Sequence, residues 1–205
     1  MKYFAATTLL CVFAVAPAEA QTKGRVSVGG TVSFVQPTDS EVGSLVGFGP
    51  LVRLNPRKGW GVAGGLSWFR ADLDNPSGAS GAFARLRVRP LMGGVAYTVG
   101  EQPVLVSFSV VAGPSFNDID FDDDFVRTLP AGALTPELEI DNSFAVRPGV
   151  NVTVTIAPRV ALIGFGGYMV NRPGVIYRDS RGQEFRDRWK ADGIIVSGGV
   201  VYSLF

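Results

Sequence analysis

Residues 104–115 read VLVSFSVVAGPS and residues 143–156 read SFAVRPGVNVTVTI, and in both stretches apolar side chains recur at every second position. The positions between them hold mainly Ser, Thr, Asn, Gly and Arg. Successive side chains of a β-strand point to opposite faces, so a period of two predicts a strand with one apolar and one polar face. The two stretches therefore predict an all-β protein.

Six further stretches bring the number of predicted strands to eight: residues 25–36, 43–54, 60–71, 83–99, 160–172 and 190–205. The connections after the second, fourth and sixth strands are short and contain Pro, Gly or Asn, which form turns. Longer connections follow the third, fifth and seventh strands, notably residues 116–142 and 173–189, and the connection after the first strand is modest. Bacterial outer-membrane barrels have an even number of strands, short periplasmic turns and longer external loops. We therefore predict an eight-stranded antiparallel up-and-down transmembrane β-barrel.

Residues 1–20 have the composition of a secretory signal peptide. Lys2 gives the positive start, residues 4–15 are mostly apolar, and Ala18-Glu19-Ala20 is a small-x-small cleavage site. We expect cleavage after Ala20, export to the bacterial outer membrane, and one barrel domain over residues 21–205. An uncleaved anchor is the alternative, but this apolar run is too short for a membrane-spanning helix.

Composition narrows the possible chemistry. The chain has no histidine, so Ser–His–Asp catalysis and histidine-ligated zinc are excluded, whereas carboxylate or lysine mechanisms are not. The net charge of +1 gives no general attraction to nucleic acid. The single cysteine, Cys11, lies in the signal peptide. We expect a protein that is not an enzyme and has no metal, no cofactor and no nucleic-acid partner.

Three features favour lipid rather than water around the barrel. The mature chain has only three lysines, and the strands lack the many charges of a solvated sheet. The polar face consists of small residues, which suit the narrow lumen of eight strands. Trp60 and Trp68 bracket the apolar face of the third strand, and eight residues of a tilted strand rise about 20 Å. We predict that they belong to the aromatic girdles; two core tryptophans in a water-soluble, lipocalin-like barrel are the alternative.

Four prolines, Pro50, Pro90, Pro114 and Pro148, fall inside predicted strands. Proline removes a hydrogen bond from the sheet and is normally confined to edges or bulges. A closed barrel has no edges, so we expect bulges near the outer rim at these positions.

The last predicted strand ends in Phe205 after an alternating apolar segment. In this the chain resembles the small outer-membrane barrels of the OmpA transmembrane-domain, OmpX and OmpW type, and the likeness covers essentially the whole chain. The resemblance implies that Phe205 is an assembly signal read by the barrel-assembly machinery and that alternate residues before it, here Val201 and Ile195, face lipid. Tyr202 and Val200 favour the opposite phase. The resemblance also implies a monomer surrounded by outer-membrane lipid and lipopolysaccharide.

Five arginines are predicted to point into the lumen and form a polar network: Arg53, Arg85, Arg87, Arg89 and Arg147. Burying an unpaired guanidinium is costly, so these groups must meet water, carboxylates or an anion. The loop of residues 116–142 is acidic, and its first half contains Asp118, Asp120, Asp122, Asp123 and Asp124.

This acidic loop would leave the barrel beside the arginines, because the fourth and sixth strands both neighbour the fifth. We hypothesise that it folds over the mouth and pairs with them. The alternatives are an anion-attracting constriction and a hydrated arginine network that merely fills the barrel. Residues 118–124 fail the calcium-loop pattern, and the alternation of Ile119 and Phe121 with aspartates predicts that the fifth strand extends above the membrane.

The sequence thus favours a non-enzymatic barrel with a structural or surface-interaction role, whose external loops are the contact surface. A narrow, porin-like channel for small solutes or ions, gated by the loop of residues 116–142, is the alternative. A barrel enzyme acting on lipid or peptide is disfavoured, because the known barrel enzymes of the resembled family rely on histidine.

Overall fold

The computed structural model describes residues 25–38, 44–55, 58–74, 82–121, 137–178, 184–188 and 191–204. Several predictions made above concern residues outside these ranges: the signal peptide of residues 1–20, the aspartates Asp122, Asp123 and Asp124, and the terminal Phe205. In the described part of the chain, no helix is long and apolar enough to cross a membrane.

The described residues form twelve strands. Their bounds are β1 Arg25–Pro37, β2 Leu45–Asn55, β3 Gly59–Leu66, β4 Trp68–Asp74, β5 Ala82–Glu101, β6 Val104–Phe121, β7 Glu137–Ile140, β8 Ser143–Ala157, β9 Val160–Met169, β10 Gly174–Arg178, β11 Glu184–Arg188 and β12 Gly193–Ser203.

The main sheet closes on itself. β1 pairs with both β2 and β12, and every neighbouring pair of the sheet is antiparallel. β3 and β4 together form one wall segment, interrupted at Ser67, because both pair with β2 on one side and β5 on the other. The nine strands therefore make an eight-stranded closed barrel, which confirms the predicted fold.

A smaller sheet lies at the end of the barrel that carries the long loops. Strands β7, β10 and β11 pair antiparallel, with Val175 opposite Ile140 and Ile176 opposite Arg186. β7 belongs to the connection between β6 and β8, whereas β10 and β11 belong to the connection between β9 and β12. Two external loops are thus joined into one element.

The outer and inner faces of the barrel differ as the lipid-facing prediction requires. Val32 and Phe48 on the outer face have exposed fractions of 62% and 60%, whereas Ser33 and Ser107 are 3% and 0% exposed inside. A barrel in water would bury the apolar face instead. The apolar outer face confirms a transmembrane barrel over the water-soluble alternative.

The last strand faces the other way from what the resemblance implied. Ile195 and Val201 are buried at 0% and 4% exposure, whereas Ile194, Val196 and Val200 lie on the outer face. The expectation that Ile195 and Val201 face lipid is therefore wrong. The apolar residues of the opposite phase gave the correct orientation.

The expected bulges at the prolines are also wrong. Pro90 is opposite Ser115 and Gly93 is opposite Ala112, so β5 and β6 keep one register across a gap of two missing residue pairs. Pro148 likewise stands in register opposite Val110. Omitting a hydrogen-bonded pair accommodates the ring without an extra residue, whereas a bulge would shift the register. In the described residues the register shifts lie elsewhere, at Leu73/Asp74 and Thr155/Ala157.

Candidate functional site

Arg53 crosses the part of the lumen nearest the short turns, and it is 7% exposed. Its guanidinium donates hydrogen bonds to Thr153 Oγ1 at 2.9 Å and to Ser107 Oγ at 3.1 Å. Ser107 Oγ also lies 2.9 Å from Thr98 Oγ1. Small polar residues of β6 and β8 thus supply acceptors for a cation that reaches across from β2, and Thr98 of β5 supports one of them. Beside it, toward the short turns, lies a cavity of about 80 Å³.

Arg147 occupies the middle of the lumen. Its Cζ lies 5.0 Å from the centroid of the Phe165 ring, a distance that gives a cation–π interaction. Its Nε is buried and has no hydrogen-bond partner among the described residues. The adjoining cavity of about 40 Å³ is lined by Thr31, Asn151 and Ser197 among others, which is space for a water molecule but not for an organic solute.

Hydrogen bonds between uncharged side chains also lie in the middle of the lumen. Ser33 Oγ and Ser197 Oγ are 2.7 Å apart, and Asn151 Nδ2 donates to Ser109 Oγ at 2.9 Å. These pairs join β1 to β12 and β8 to β6 on the inner face. Arg53 and Arg147 therefore lie inside the barrel within a network of hydroxyl and amide groups.

An apolar cluster fills the barrel toward the long loops. Its buried members come from six strands around the barrel: Val35, Leu45, Phe69, Ala84, Leu86, Val88, Met169 and Ile195. Ile140, at the end of β7, packs against this cluster from the loop side. The end of β7 therefore reaches over the mouth, where Ile140 contacts the interior.

A polar network that the sequence analysis missed lies beside the apolar cluster. Asn171 is 0% exposed. Its backbone N–H donates to Asp192 Oδ1 at 2.9 Å, and its side-chain Oδ1 accepts from Ser143 Oγ at 2.5 Å. Arg172 donates to Asp192 Oδ2 from Nε at 3.0 Å and from an amino group at 2.8 Å. This hydrogen bonding to a carboxylate raises the pKa of Arg172. The sequence did contain a signal for this network. Asn171 follows β9 and Asp192 precedes β12, and Asn and Asp at strand ends often form hydrogen bonds with the backbone of the adjoining loop.

Arg85, Arg87 and Arg89 are not in the lumen, so that part of the predicted network is wrong. Leu86 and Val88, which alternate with them, are each 1% exposed in the apolar cluster, so the three arginines point outward. The prediction assumed that the apolar residues face lipid along the whole strand. Toward the long loops, the apolar residues of β5 instead occupy the inward positions, which is expected where the outer wall meets water and the interior is dry.

The ion pairs of the described aspartates form on the outer wall rather than across the mouth. Arg87 lies 2.7 Å from Asp120 Oδ2 and 3.7 Å from Asp118 Oδ2. These aspartates belong to β6, which runs as far as Phe121; that this end of the strand stands above the membrane stays a prediction. The contacts join neighbouring strands, so they do not close the lumen. Among the described residues no group of His, Cys, Asp and Glu could hold a metal ion.

Both predicted girdle tryptophans lie against aromatic neighbours of adjacent strands. The ring of Trp60, with 69% of its surface exposed, is 5.2 Å from Tyr97 in an edge-on arrangement. The ring of Trp68 is stacked 5.7 Å from Phe48, which is 60% exposed. The outer face therefore presents two aromatic pairs, one on either side of the middle of β3–β4. Their depth in the bilayer stays a prediction.

Comparison with known proteins identifies the family of this barrel. The family model for the outer membrane protein beta-barrel domain matches residues 5–162. The chain belongs to this family. Members of the family lie in the bacterial outer membrane, so the location follows with the fold. No curated protein sequence matches the chain.

Solved structures of outer-membrane barrels resemble this member of the family in fold. OprG from Pseudomonas aeruginosa superposes with a TM-score of 0.74 at 14% identity, covering 88% of this chain and 96% of OprG. A major outer membrane protein of Thermus thermophilus gives 0.61 at 14% identity, with coverages of 89% and 100%. Escherichia coli outer membrane protein W gives 0.55 at 17% identity, with coverages of 88% and 98%. At these identities the likeness concerns the fold alone.

Proposed function

We propose that this protein is a closed, non-enzymatic barrel whose external sheet and loops form a contact surface, with a structural or surface-interaction role in the outer membrane. The observation that carries the proposal is the obstruction of the lumen. Arg53 and Arg147 cross it at two depths, and buried side chains such as Phe69 and Leu86 fill it at the mouth. The two cavities beside these arginines measure about 80 Å³ and about 40 Å³ among the described residues.

The external face supports the contact role. Strands β7, β10 and β11 form a sheet built from two different loops, and Ile140 packs against the mouth cluster. Such a sheet presents a defined surface rather than independent loops. We further propose that residues 1–20 direct export and that the barrel-assembly machinery inserts the mature chain.

A narrow channel is the second candidate. It is favoured by Arg53 and Arg147, which place positive charge inside the barrel and would favour anions over cations. On this view the mouth cluster together with Ile140 would be the gate, in place of the ion pairs predicted from the sequence.

Current recording from single barrels in planar bilayers tests the first proposal. We expect the wild-type protein to be silent, with insertion checked by the heat-dependent shift in gel mobility that folded barrels show. A variant with Phe69→Ala and Met169→Ala, which removes bulk from the mouth cluster alone, should also stay silent, because Arg53 and Arg147 still cross the lumen. Steady current through the wild-type barrel would overturn the proposal, and a preference for anions in that current would establish the second candidate.

A further inference from the structure

Three arginines lie together on the outer wall at the loop end of the barrel. Arg70 on β4 is directly opposite Arg87 on β5, and Arg89 follows on the same face of β5. Opposite residues of an antiparallel pair have Cβ atoms about 5 Å apart, and like charges in such positions repel. This placement is unfavourable unless an anion or a carboxylate lies between the guanidinium groups.

Carboxylates satisfy only part of this cluster. Arg87 pairs with Asp118 and Asp120 on the neighbouring strand. Within the described residues, no carboxylate oxygen is within 4.0 Å of Arg70 or Arg89. The cluster therefore keeps two guanidinium groups that can donate to an external anion.

The surroundings of the cluster are apolar on the side toward the middle of the barrel. A shallow surface pocket is lined by the three arginines and by Phe48, Trp68 and Phe69. Leu91, the next outward residue of β5 after Arg89, is 45% exposed, and Phe116, opposite Arg89 on β6, is 47% exposed. Basic groups thus stand directly beside an exposed aromatic and aliphatic surface.

This arrangement matches a ligand with a phosphate head and acyl chains. Guanidinium binds phosphate through two parallel hydrogen bonds, and each arginine near a membrane surface adds to the attraction for anionic lipid. A soluble anion would gain nothing from Phe48, Phe116 or Leu91. We propose that Arg70, Arg87 and Arg89 form a binding site for a phosphate group of an anionic lipid in the outer leaflet, with its acyl chains against this aromatic surface.

Trp68 can report occupancy of this site. The variant with Trp60→Phe and Trp189→Phe keeps it as the only tryptophan, because the chain has three. In nonionic detergent micelles, this barrel is titrated with lipid A that carries both phosphates, with dephosphorylated lipid A, and with inorganic phosphate. We expect a saturable change in Trp68 emission with the phosphorylated lipid and only a weak change with the other two.

Charge removal then identifies the residues. Arg70→Gln with Arg89→Gln should weaken binding of phosphorylated lipid A about 30-fold, which corresponds to two arginines at about 1 kcal/mol each. The matched control removes two exposed charges at the opposite end, Lys58→Gln with Arg159→Gln, and should leave binding unchanged. Gel mobility before and after heating confirms that each variant is folded.

Three results would overturn the proposal. Equal binding of lipid A with and without phosphates would remove the role of the anion. Equal weakening by the two double variants would show attraction to overall charge rather than a site. Saturation by inorganic phosphate at the same concentration as the lipid would indicate a site for soluble anions instead of lipid.

Discussion

At the scale of single residues, Arg53 shows how a barrel holds a charge inside. Its guanidinium is 7% exposed, and two of its contacts are hydroxyl groups, Thr153 Oγ1 and Ser107 Oγ. Hydroxyls accept hydrogen bonds without bringing a second charge into the lumen. They therefore offset the desolvation of the cation without the cost of burying a carboxylate.

Replacing Thr153 with Val tests this account. The change keeps the shape of the side chain but removes one of the acceptors of Arg53, and a hydrogen bond to a charged group is worth about 1.5–3 kcal/mol. We expect the free energy of unfolding to fall by about that amount in urea titrations of the barrel in lipid vesicles. Thr38→Val, which removes an exposed hydroxyl 3.1 Å from Tyr168 Oη, should change it by less than about 0.5 kcal/mol, because water can replace this contact. Equal stability of the two variants would contradict the prediction.

At the scale of the strands, close approach of neighbouring backbones decides where glycine is needed. A Cβ built on Gly113 would lie 2.0 Å from the carbonyl oxygen of Leu91, and one on Gly49 would lie 1.9 Å from that of Leu66. Both glycines face inward near the interruptions of the sheet at Ser67 and at the proline-containing segments. The tight curvature of an eight-stranded barrel leaves no space for a side chain there.

Gly113→Ala should therefore hinder formation of the barrel. The β6 backbone would have to move away from β5, and a shift of a backbone segment is costly. We expect a smaller folded fraction after refolding into detergent, measured by gel mobility of unheated samples. Gly164→Ala is the matched control, because a Cβ at Gly164 meets no atom within 4 Å, and it should fold like the wild type. Normal folding of the Gly113 variant would show that the strands can separate at this point.

At the scale of the whole molecule, the outer face passes from apolar to charged within one strand. On β5 the outward residues Val95 and Leu91 are 51% and 45% exposed, and Arg89 and Arg87 follow them toward the loops. The inner face changes in the opposite sense, from Thr98 to Val88 and Leu86. Toward the short turns, the barrel thus has the apolar outside and polar inside of a membrane barrel. Toward the long loops, it has the polar outside and apolar inside of a water-soluble barrel.

The position of this boundary gives a prediction about lipid contact. Val110 lies on the outer face of β6 within the apolar band, whereas Phe116 lies near its upper limit. An arginine at the bilayer midplane costs about 2–4 kcal/mol and one near the interface about 0–1 kcal/mol. Val110→Arg should therefore lower the free energy of unfolding in vesicles much more than Phe116→Arg. Similar losses in urea titrations of the two variants would place the membrane elsewhere on the barrel.

Several features of the molecule could be predicted from local pattern. The period of two in residues 104–115 and 143–156 identified strands, and the alternation of short and long connections gave eight antiparallel wall segments. The apolar character of Val32, Phe48 and Val152 identified the face that meets lipid. Arg53 and Arg147 lie on the inner face, where they alternate with outward apolar residues.

Local pattern was thus enough to predict the eight-stranded barrel and its orientation to lipid, because both follow from which residues alternate along each strand. The height at which the environments of the two faces exchange is visible only in the folded barrel, where Arg85, Arg87 and Arg89 lie outside while Leu86 and Val88 lie within. Alternation shows that the two faces of a strand have different environments, but it does not identify the face that is shielded from water. That depends on the height of each residue relative to the membrane and on what lies across the barrel, as Ile140 and Phe69 do at the mouth.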